Sequence, residues 1–376
     1  MATRVLLFLL ALLLHDPLAS VAVRGFPVRL RDSRRLLSFA ERFLHRLWRS
    51  QHRKQVLEAM LNSGIAASVE WGAGEYLIDL AIGTAMLPIT AVLSTGSDLI
   101  WTQCGQCHDY EGGTNSLGIL ANETLTFGGK TPFAGITFGC GTENTGSLSN
   151  STGIVGMGRG PLSLPSQLHP SKFSYCFTPF NSSTISHLFL GSIADLGSCF
   201  VHSTPIVLSS NNYPFSSFYY LSLQGISVGD TLLPIPNETF QIKADGSGGL
   251  IVDTGTVPTY LEEAGYDILR KELISRVDLP VANQTYIGLD LCFSLPPGSS
   301  SPPAMPDMIF HFDGADMTIP PQNYMSYGFE EGLFCFMITG MTGLSVLGNY
   351  QQQNLHVLFD LDADVLSFVP AMCDGL

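Results

Sequence analysis

The chain has 376 residues, of which 45% are hydrophobic and 13% are charged, and its formal net charge is −14. This composition excludes an intrinsically disordered chain, because it supplies enough apolar surface to form a core. The length predicts about two domains, on the usual scale of about 100 to 200 residues for each.

The N-terminus has the pattern of a secretory signal peptide. Arg4 precedes an apolar run over residues 5–14, and the small residues Ala19 and Ser20 follow it. This run is too short to span a bilayer, and no later run reaches the length of about 18 apolar residues that a membrane helix needs. We therefore expect residues 1–20 to be removed, no membrane association, and a secreted protein that is extracellular or vacuolar.

The segment that follows is basic, whereas the rest of the chain is acidic. Between Arg24 and Lys54, ten basic side chains stand against two acidic ones; from Trp71 onward, seven basic side chains stand against 27 acidic ones, a net charge of −20. This contrast predicts that residues 21–70 are a propeptide that covers an acidic cleft until it is removed. Its apolar residues recur at helical spacing, which favours docking of one helix face: Leu36, Ala40, Phe43 and Leu47.

The alternative for this basic segment is a helix that binds a membrane surface or nucleic acid. The propeptide is the favoured interpretation because the segment directly follows the signal peptide, and a secreted protein rarely meets nucleic acid. We therefore expect no nucleic-acid partner.

Eight cysteines in an oxidising compartment most simply form four disulfides, and 105 connectivities are possible for that number. Cys104 and Cys107 also have the Cys-x-x-Cys spacing of haem-attachment, redox or zinc motifs, but no second half of a zinc motif is present, so structural bridges are favoured. Five sequons predict a glycoprotein. They begin at Asn122, Asn150, Asn181, Asn237 and Asn283.

From Glu75 onward, short runs rich in β-branched and aromatic residues alternate with turn residues, which predicts an all-β protein. The clearest strands are residues 76–83 and residues 218–229. One helix is predicted after the turn that ends at residue 256, with Glu262 and Glu263 at its positive N-terminal end. Its apolar stripe is formed by Ala264, Ile268, Leu269 and Leu273.

Residues 91–97 and residues 250–256 repeat one strand-turn pattern, in which a buried strand leads into a sharp turn that glycine permits. The second copy carries Asp253 where the first carries Ser94. Each copy is followed later by an apolar run with glycine, at residues 153–158 and 345–349. This duplication predicts two similar lobes that face each other across a cleft.

In these landmarks and their order, residues 75–376 resemble the plant nepenthesin-like branch of the pepsin-like aspartic proteases. The landmarks are Thr95-Gly96-Ser97-Asp98-Leu99-Ile100-Trp101-Thr102-Gln103-Cys104, residues 153–167 with their Gly-Arg-Gly-Pro-Leu-Ser core, Phe173-Ser174-Tyr175-Cys176, Asp253-Thr254-Gly255-Thr256 and Leu347-Gly348-Asn349-Tyr350-Gln351-Gln352-Gln353. The resemblance implies a bilobal fold, with an N-terminal lobe over residues 71–204 and a C-terminal lobe over residues 205–376. It also implies a monomeric zymogen that cleaves peptide or protein substrates without a metal or organic cofactor.

The family hydrolyses peptide bonds with two Asp side chains, one acting as base and one as acid, which hold a water between them. Asp253 corresponds to the second Asp, and Ser94 occupies the place of the first. A hydroxyl can hydrogen-bond to water but cannot serve as its base, so we expect impaired hydrolysis. The alternative is an inactive pseudoprotease that binds peptides or inhibits another protein. Two less favoured rescues are Ser94 as a nucleophile activated by Asp253, and Asp98 as a substitute carboxylate.

The resemblance assigns substrate binding to the two turns and to a flap. The residues concerned are Gly96, Ser97, Gly255 and Thr256 in the turns and Tyr110 in the flap. For Tyr110 the alternative is an ordinary core tyrosine.

Residues 108–109 alone separate Cys107 from Tyr110, at a place where relatives carry a long cysteine-rich insertion. We therefore expect a shortened N-terminal lobe in which Cys104 and Cys107 have lost their usual partners. Both a rearranged lobe and a misassigned exon boundary fit this short segment.

Overall fold

The structure is a computed structural model, and it describes residues 26–29, 76–105, 107–108, 115–127, 131–145, 151–180, 182, 184–197, 200–208, 215–244, 246–283, 285, 288–299, 301–328 and 332–375. The predicted signal peptide, most of the predicted propeptide and Tyr110 lie outside the described residues.

The described residues form many short strands and few helices, which confirms the all-β prediction. The strands are β1 (Phe26–Arg29), β2 (Leu77–Ile82), β3 (Leu87–Ser94), β4 (Trp101–Gln103), β5 (Cys107–His108), β6 (Asn115–Phe127), β7 (Thr131–Thr145), β8 (Gly153–Gly156), β9 (Lys172–Cys176), β10 (Ser186–Leu190), β11 (His202–Val207), β12 (Tyr220–Leu221), β13 (Leu223–Val228), β14 (Thr231–Leu232), β15 (Leu250–Val252), β16 (Thr259–Glu262), β17 (Cys292–Ser294), β18 (Met308–Phe312), β19 (Ala315–Ile319), β20 (Met325–Gly328), β21 (Leu333–Phe336), β22 (Ile338–Met341), β23 (Ser345–Leu347), β24 (Leu355–Asp360) and β25 (Val365–Pro370). The α-helices are α1 (Leu164–Leu168) and α2 (Glu263–Arg276).

An antiparallel sheet joins the two lobes, in the strand order β1, β10, β9, β24, β25 and β11. Its first three strands come from the N-terminal half of the chain and its last three from the C-terminal half. At the junction, the rings of Phe173 and Phe359 stack with centroids 4.5 Å apart. Two similar lobes therefore share one continuous sheet, with a hydrophobic contact at its centre.

The predicted duplication is present in the strand pairing. In the N-terminal lobe, β8 pairs parallel with β3 and antiparallel with β4. In the C-terminal lobe, β23 pairs parallel with β15 and antiparallel with β16. Each lobe thus places a strand from later in the chain between the two strands that flank its turn, as the two apolar glycine-containing runs predicted.

The structure corrects two details of the sequence prediction. Residues 218–229 do not form one strand but two strands in different sheets: β12 pairs with β11 and β15, whereas β13 pairs with β14 and β18. Helix α2 forms as predicted, but Ala264 is exposed and the buried side is formed by Tyr266, Leu269 and Leu273 together with Gly265.

Three disulfides link described cysteines: Cys104–Cys140, Cys176–Cys373 and Cys292–Cys335. The sequence left the partner of Cys104 open, and the structure assigns Cys140, because β4 and β7 run side by side and bring Cys140 next to it. This bridge also removes Cys104 from the zinc, redox and haem interpretations.

Within the described residues, no helix has the length and apolar character needed to cross a membrane.

Candidate active site

The two turns that carry Ser94 and Asp253 are built on close backbone approaches. Ser94 ends β3 opposite Gly156 of β8, and Gly348 directly follows β23 in the other lobe. A Cβ atom on Gly156 would lie 2.2 Å from the carbonyl oxygen of Asp98, just after the first turn, and one on Gly348 would lie 2.5 Å from that of Val257, just after the second. Glycine at these two positions therefore lets each returning strand pack directly against its turn.

Thr95 and Thr254 hold the two turns against each other. The Thr95 hydroxyl donates to the carbonyl oxygen of Val252 at 2.8 Å, and the Thr254 hydroxyl donates to that of Leu93 at 2.7 Å. Each hydroxyl also accepts the backbone N–H of the other threonine, at 3.1 Å in both directions. Both side chains are fully buried. These reciprocal bonds fix the distance between the residues that directly precede the two threonines.

Asp253 is fully buried and accepts hydrogen bonds from both turns. Its Oδ1 accepts from the Ser94 hydroxyl at 3.0 Å, from the Gly96 N–H at 3.0 Å and from the Gly255 N–H at 2.9 Å. Its Oδ2 accepts from the Thr256 hydroxyl at 2.7 Å. A carboxylate has about four sites for donors, and here four protein donors approach it.

Ser94 is 2% exposed, and its Oγ lies 3.0 Å from both Asp253 Oδ1 and the Ser97 Oγ. A hydroxyl has one proton, so Ser94 cannot donate to both neighbours at once. Its proton is directed either to Asp253 Oδ1 or to the Ser97 Oγ, and the carboxylate is the stronger acceptor. Ser94 is therefore a neutral donor to the carboxylate that faces it.

This arrangement brings together one carboxylate and hydroxyls, and not two carboxylates. The Asp253 carboxylate can accept a proton, whereas the Ser94 hydroxyl can only polarise a neighbouring group by a hydrogen bond. Two close carboxylates have separated pKa values, so that one can act as acid and the other as base. The Ser94–Asp253 pair has only one carboxylate and so lacks this division of roles.

Asp98 turns away from this pair and toward the residues that follow β8. Its Oδ1 accepts the Gly160 N–H at 2.8 Å, and a Cβ on Gly160 would lie 2.1 Å from its Oδ2. Burial raises the pKa of Asp98 above the usual 3.8, although hydrogen bonds from Ser217 and Gly160 oppose the rise. The carboxylate that was considered as a substitute for the missing acid is thus engaged in holding the residues after β8.

A buried polar layer under the turns was not included in the predicted site. Tyr175 donates to the side-chain carbonyl of Gln352, and the Asn349 amide donates to the carbonyl oxygen of Thr254 at 2.8 Å. Burial raises the pKa of Tyr175 well above its usual value, and the negative charge of Asp253 adds to the rise. Tyr175, Asn349 and Gln352 all belong to sequence landmarks of the family resemblance. Their presence in these landmarks is the sequence signal that could have indicated a role next to the turns.

Of the residues predicted to bind substrate, Gly96, Gly255 and Thr256 surround the Asp253 carboxylate, and Ser97 contacts Ser94. Tyr110 belongs to the part of the chain that the structure does not describe.

Two family models match the chain. The model described as Xylanase inhibitor N-terminal matches residues 108–192, and the one described as Xylanase inhibitor C-terminal matches residues 218–370.

Similar proteins of known name are plant aspartic proteases. Aspartic proteinase nepenthesin-1 of Nepenthes gracilis is 40% identical, over 93% of this chain and 91% of that protein. Aspartic proteinase nepenthesin-2 of the same plant is 36% identical, over 91% and 88%. Aspartyl protease 37 of Oryza sativa subsp. japonica is 31% identical, over 81% of each chain. The alignment with nepenthesin-1 spans 403 positions, whereas 93% of 376 residues is about 350, so this chain is shorter than that relative within the aligned region.

Solved structures with the same fold include the crystal structure of edgp, with a TM-score of 0.64 at 19% identity, covering 82% of this chain and 95% of that chain. Basic 7S globulin from soybean has a TM-score of 0.62 at 16% identity, covering 80% and 94%. At such identities the likeness shows a shared fold.

Proposed function

The chain belongs to the nepenthesin-like family of plant aspartic proteases, and on this premise we propose that it is a secreted aspartic-type endopeptidase whose turnover is impaired by Ser94. The homologues are named aspartic proteinases, which supports peptide-bond hydrolysis as the class of reaction.

The observation that carries the proposal is the position of Asp253 between the two lobes. Its carboxylate is held by donors from both turns, and the buried threonines that lock the turns together set its position relative to Ser94. A carboxylate fixed in this way at the meeting point of two lobes is placed to act on a peptide that lies in the cleft.

In the proposed reaction, Asp253 accepts a proton from a water molecule while the water oxygen attacks the carbonyl carbon of a peptide bond. A second acid should then donate a proton to the carbonyl oxygen, and Ser94 offers a neutral hydroxyl in its place. A positioned general acid or base contributes about 10²- to 10⁴-fold to a rate. We therefore expect turnover below that of a two-carboxylate site by at least this factor.

The predicted propeptide, residues 21–70, supports synthesis as a zymogen. Strand β1 lies within the predicted propeptide and pairs with β2 and β10 of the body. The basic propeptide and the acidic chain from Trp71 onward attract each other, which favours docking of the propeptide before its removal. On this proposal, the mature protein is a monomer that acts on peptide or protein substrates outside the cytosol, in the vacuole or the cell exterior, without nucleic-acid or membrane partners.

The test is cleavage of a denatured protein substrate at about pH 3 to 5, the range in which carboxyl groups titrate. The mature protein is compared with its Asp253→Asn variant, which keeps the shape of the side chain and removes the proton acceptor. Slow cleavage that pepstatin stops and that Asp253→Asn abolishes supports the proposal. Cleavage that persists in Asp253→Asn contradicts it.

A second candidate function is that of a pseudoprotease, which uses the cleft to bind peptides or to inhibit another protein. The observation that favours it is the Ser94 hydroxyl beside Asp253 Oδ1, because this pair has one carboxylate and so lacks the separate acid and base of a two-carboxylate site. Both matching family models are also named for a xylanase inhibitor.

This second function is measured by titrating the protein with pepstatin and with xylanase at acidic pH in a calorimeter. Binding of either by the natural protein, together with undetectable cleavage, supports the pseudoprotease. Measurable turnover that depends on Asp253 rejects it.

A further inference from the structure

A second cluster of reactive side chains lies on the C-terminal lobe, on a four-stranded sheet with the order β14, β13, β18 and β19. One face of this sheet packs into the core through alternate residues such as Phe310 and Met317. The opposite face carries Ser227 on β13, His311 on β18 and Asp316 on β19. These three strands are adjacent, so the three side chains form a row across the sheet.

Two short contacts link the three side chains of this row. His311 and Asp316 are directly paired across the two strands, and His311 Nδ1 lies 2.7 Å from Asp316 Oδ1. On the other side of the ring, His311 Nε2 lies 2.7 Å from Ser227 Oγ. An ionised carboxylate only accepts hydrogen bonds, so in a neutral ring the proton is on Nδ1 and Nε2 is free to accept from the Ser227 hydroxyl.

The register of the strands explains why the ring reaches the serine. Gly225 of β13, not Ser227, lies directly opposite His311. A Cβ atom on Gly225 would come 3.9 Å from the His311 ring. Because Gly225 has no side chain, the space above it is lined by Leu232, whose Cδ1 would lie 3.3 Å from such a Cβ, and by the His311 ring, which reaches Ser227.

That space is part of a cavity of about 570 Å³. Ser227 and His311 line it, together with the exposed side chain of Leu232 and the amides of Gln224 and Gln241. The volume is in the range of small-molecule sites. The apolar side chain can contact an acyl group, and the amide N–H groups can donate to a developing oxyanion.

We propose that Ser227, His311 and Asp316 form a second reactive site, which hydrolyses small esters by acyl transfer at neutral pH, independently of the Asp253 cleft. Ser227 Oγ attacks the ester carbonyl carbon while its proton passes to His311 Nε2. The C–O bond to the alcohol then breaks, and the alcohol leaves with that proton. Water attacks the resulting acyl-serine in the same way, which releases the acid and restores Ser227. Asp316 is a positioning residue, because it holds the ring in the productive orientation.

The experiment uses the secreted protein at about pH 8, with a tagged alkyl fluorophosphonate as the probe. An activated serine forms an O–P bond to this probe, fluoride leaves, and the serine proton passes to the base. The labelled residue is identified by peptide mass spectrometry. Because Asn237 borders the cavity and begins a sequon, all proteins carry Asn237→Gln, so that no glycan covers the site.

The expected result is a label on Ser227 in the otherwise natural protein, with a labelling rate about 10²-fold or more lower in His311→Gln, since a general base contributes about 10²- to 10⁴-fold. Asp316→Asn should also slow labelling, and Asp316→Glu should recover part of the rate, which a merely structural role does not predict. Ser275, an exposed serine on α2, is the matched control and should remain unlabelled.

Two results would overturn the proposal. One is the absence of label from Ser227 in the protein whose only change is Asn237→Gln. The other is an equal rate in His311→Gln, which would mean that His311 does not activate the serine. Hydrolysis of p-nitrophenyl acetate is followed in parallel, and it must respond to Ser227→Ala.

Discussion

The hydroxyl of Ser94 lies 3.0 Å from Oδ1 of Asp253, so a side chain of the N-terminal lobe donates directly to the carboxylate of the C-terminal lobe. The Gly96 N–H, also from the first turn, donates to the same oxygen at 3.0 Å. The two lobes therefore meet at one carboxylate that has no second carboxylate beside it within this pair of turns. The expected behaviour of the cleft follows from this contact.

The hydroxyl of Thr95 should be important for stability. Thr95→Val keeps the shape of the side chain but removes the donor to Val252 and the acceptor for the Thr254 N–H. Each buried polar group left unpaired costs about 1 to 3 kcal/mol. We expect a loss of at least this size in the free energy of unfolding, measured by denaturant titration. Thr318→Val, at an exposed position of β19, is the matched control, and an equal effect of the two changes would contradict the prediction.

Asp98 should make the protein less stable as the pH rises. Its pKa is raised in the folded state, mainly by burial, so the folded state holds this proton at pH values where the unfolded state has released it. Stability therefore falls as the pH rises through the folded pKa. Asp98→Asn keeps an acceptor for the Gly160 N–H and removes this titration.

The measurement for Asp98 is the difference in unfolding free energy between Asp98→Asn and the natural protein, from about pH 3 to about pH 7, a range that starts below the usual carboxyl pKa. The difference should shift in favour of the variant as the pH rises. The exposed Asp230→Asn serves as control. A difference that shifts the other way would show that hydrogen bonds, and not burial, dominate at Asp98.

The Cys104–Cys140 bridge should stabilise the N-terminal lobe. The two cysteines are 36 residues apart in the sequence, and the chain-entropy relation gives about 4 kcal/mol for a loop of this length. We expect the Cys104→Ala/Cys140→Ala double variant to unfold at a clearly lower denaturant concentration than the natural protein. An unchanged midpoint would mean that the remaining contacts of β4 and β7 suffice to hold this lobe.

Much of the fold followed from sequence because it depends on local pattern. The strands before Ser94 and Asp253 are apolar runs with a glycine turn, and their duplication predicted two lobes with matching strand pairing. Helix α2 was predicted from its spacing, but tertiary packing turned Ala264 outward and brought Tyr266 into the core.

The parts that sequence missed depend on contacts between distant residues. The partner of Cys104 was left open because eight cysteines allow many pairings, and the side-by-side arrangement of β4 and β7 selects Cys140. The row of Ser227 and His311 joins residues 84 positions apart, on strands whose register no local pattern reveals. The donation from Gly96 to Asp253 across the two turns depends in the same way on the threonine bonds that hold the turns together.

The most direct test of the central claim, that Ser94 limits hydrolysis, is kcat/KM for a fluorogenic peptide at about pH 4. The natural protein is compared with Ser94→Asp and with Ser94→Asn, which matches the new side chain in shape but supplies no proton acceptor. We predict that Ser94→Asp raises kcat/KM by about 10²-fold or more, that pepstatin inhibits this activity, and that Ser94→Asn does not raise it. A natural protein that already cleaves as fast as Ser94→Asp would contradict the account.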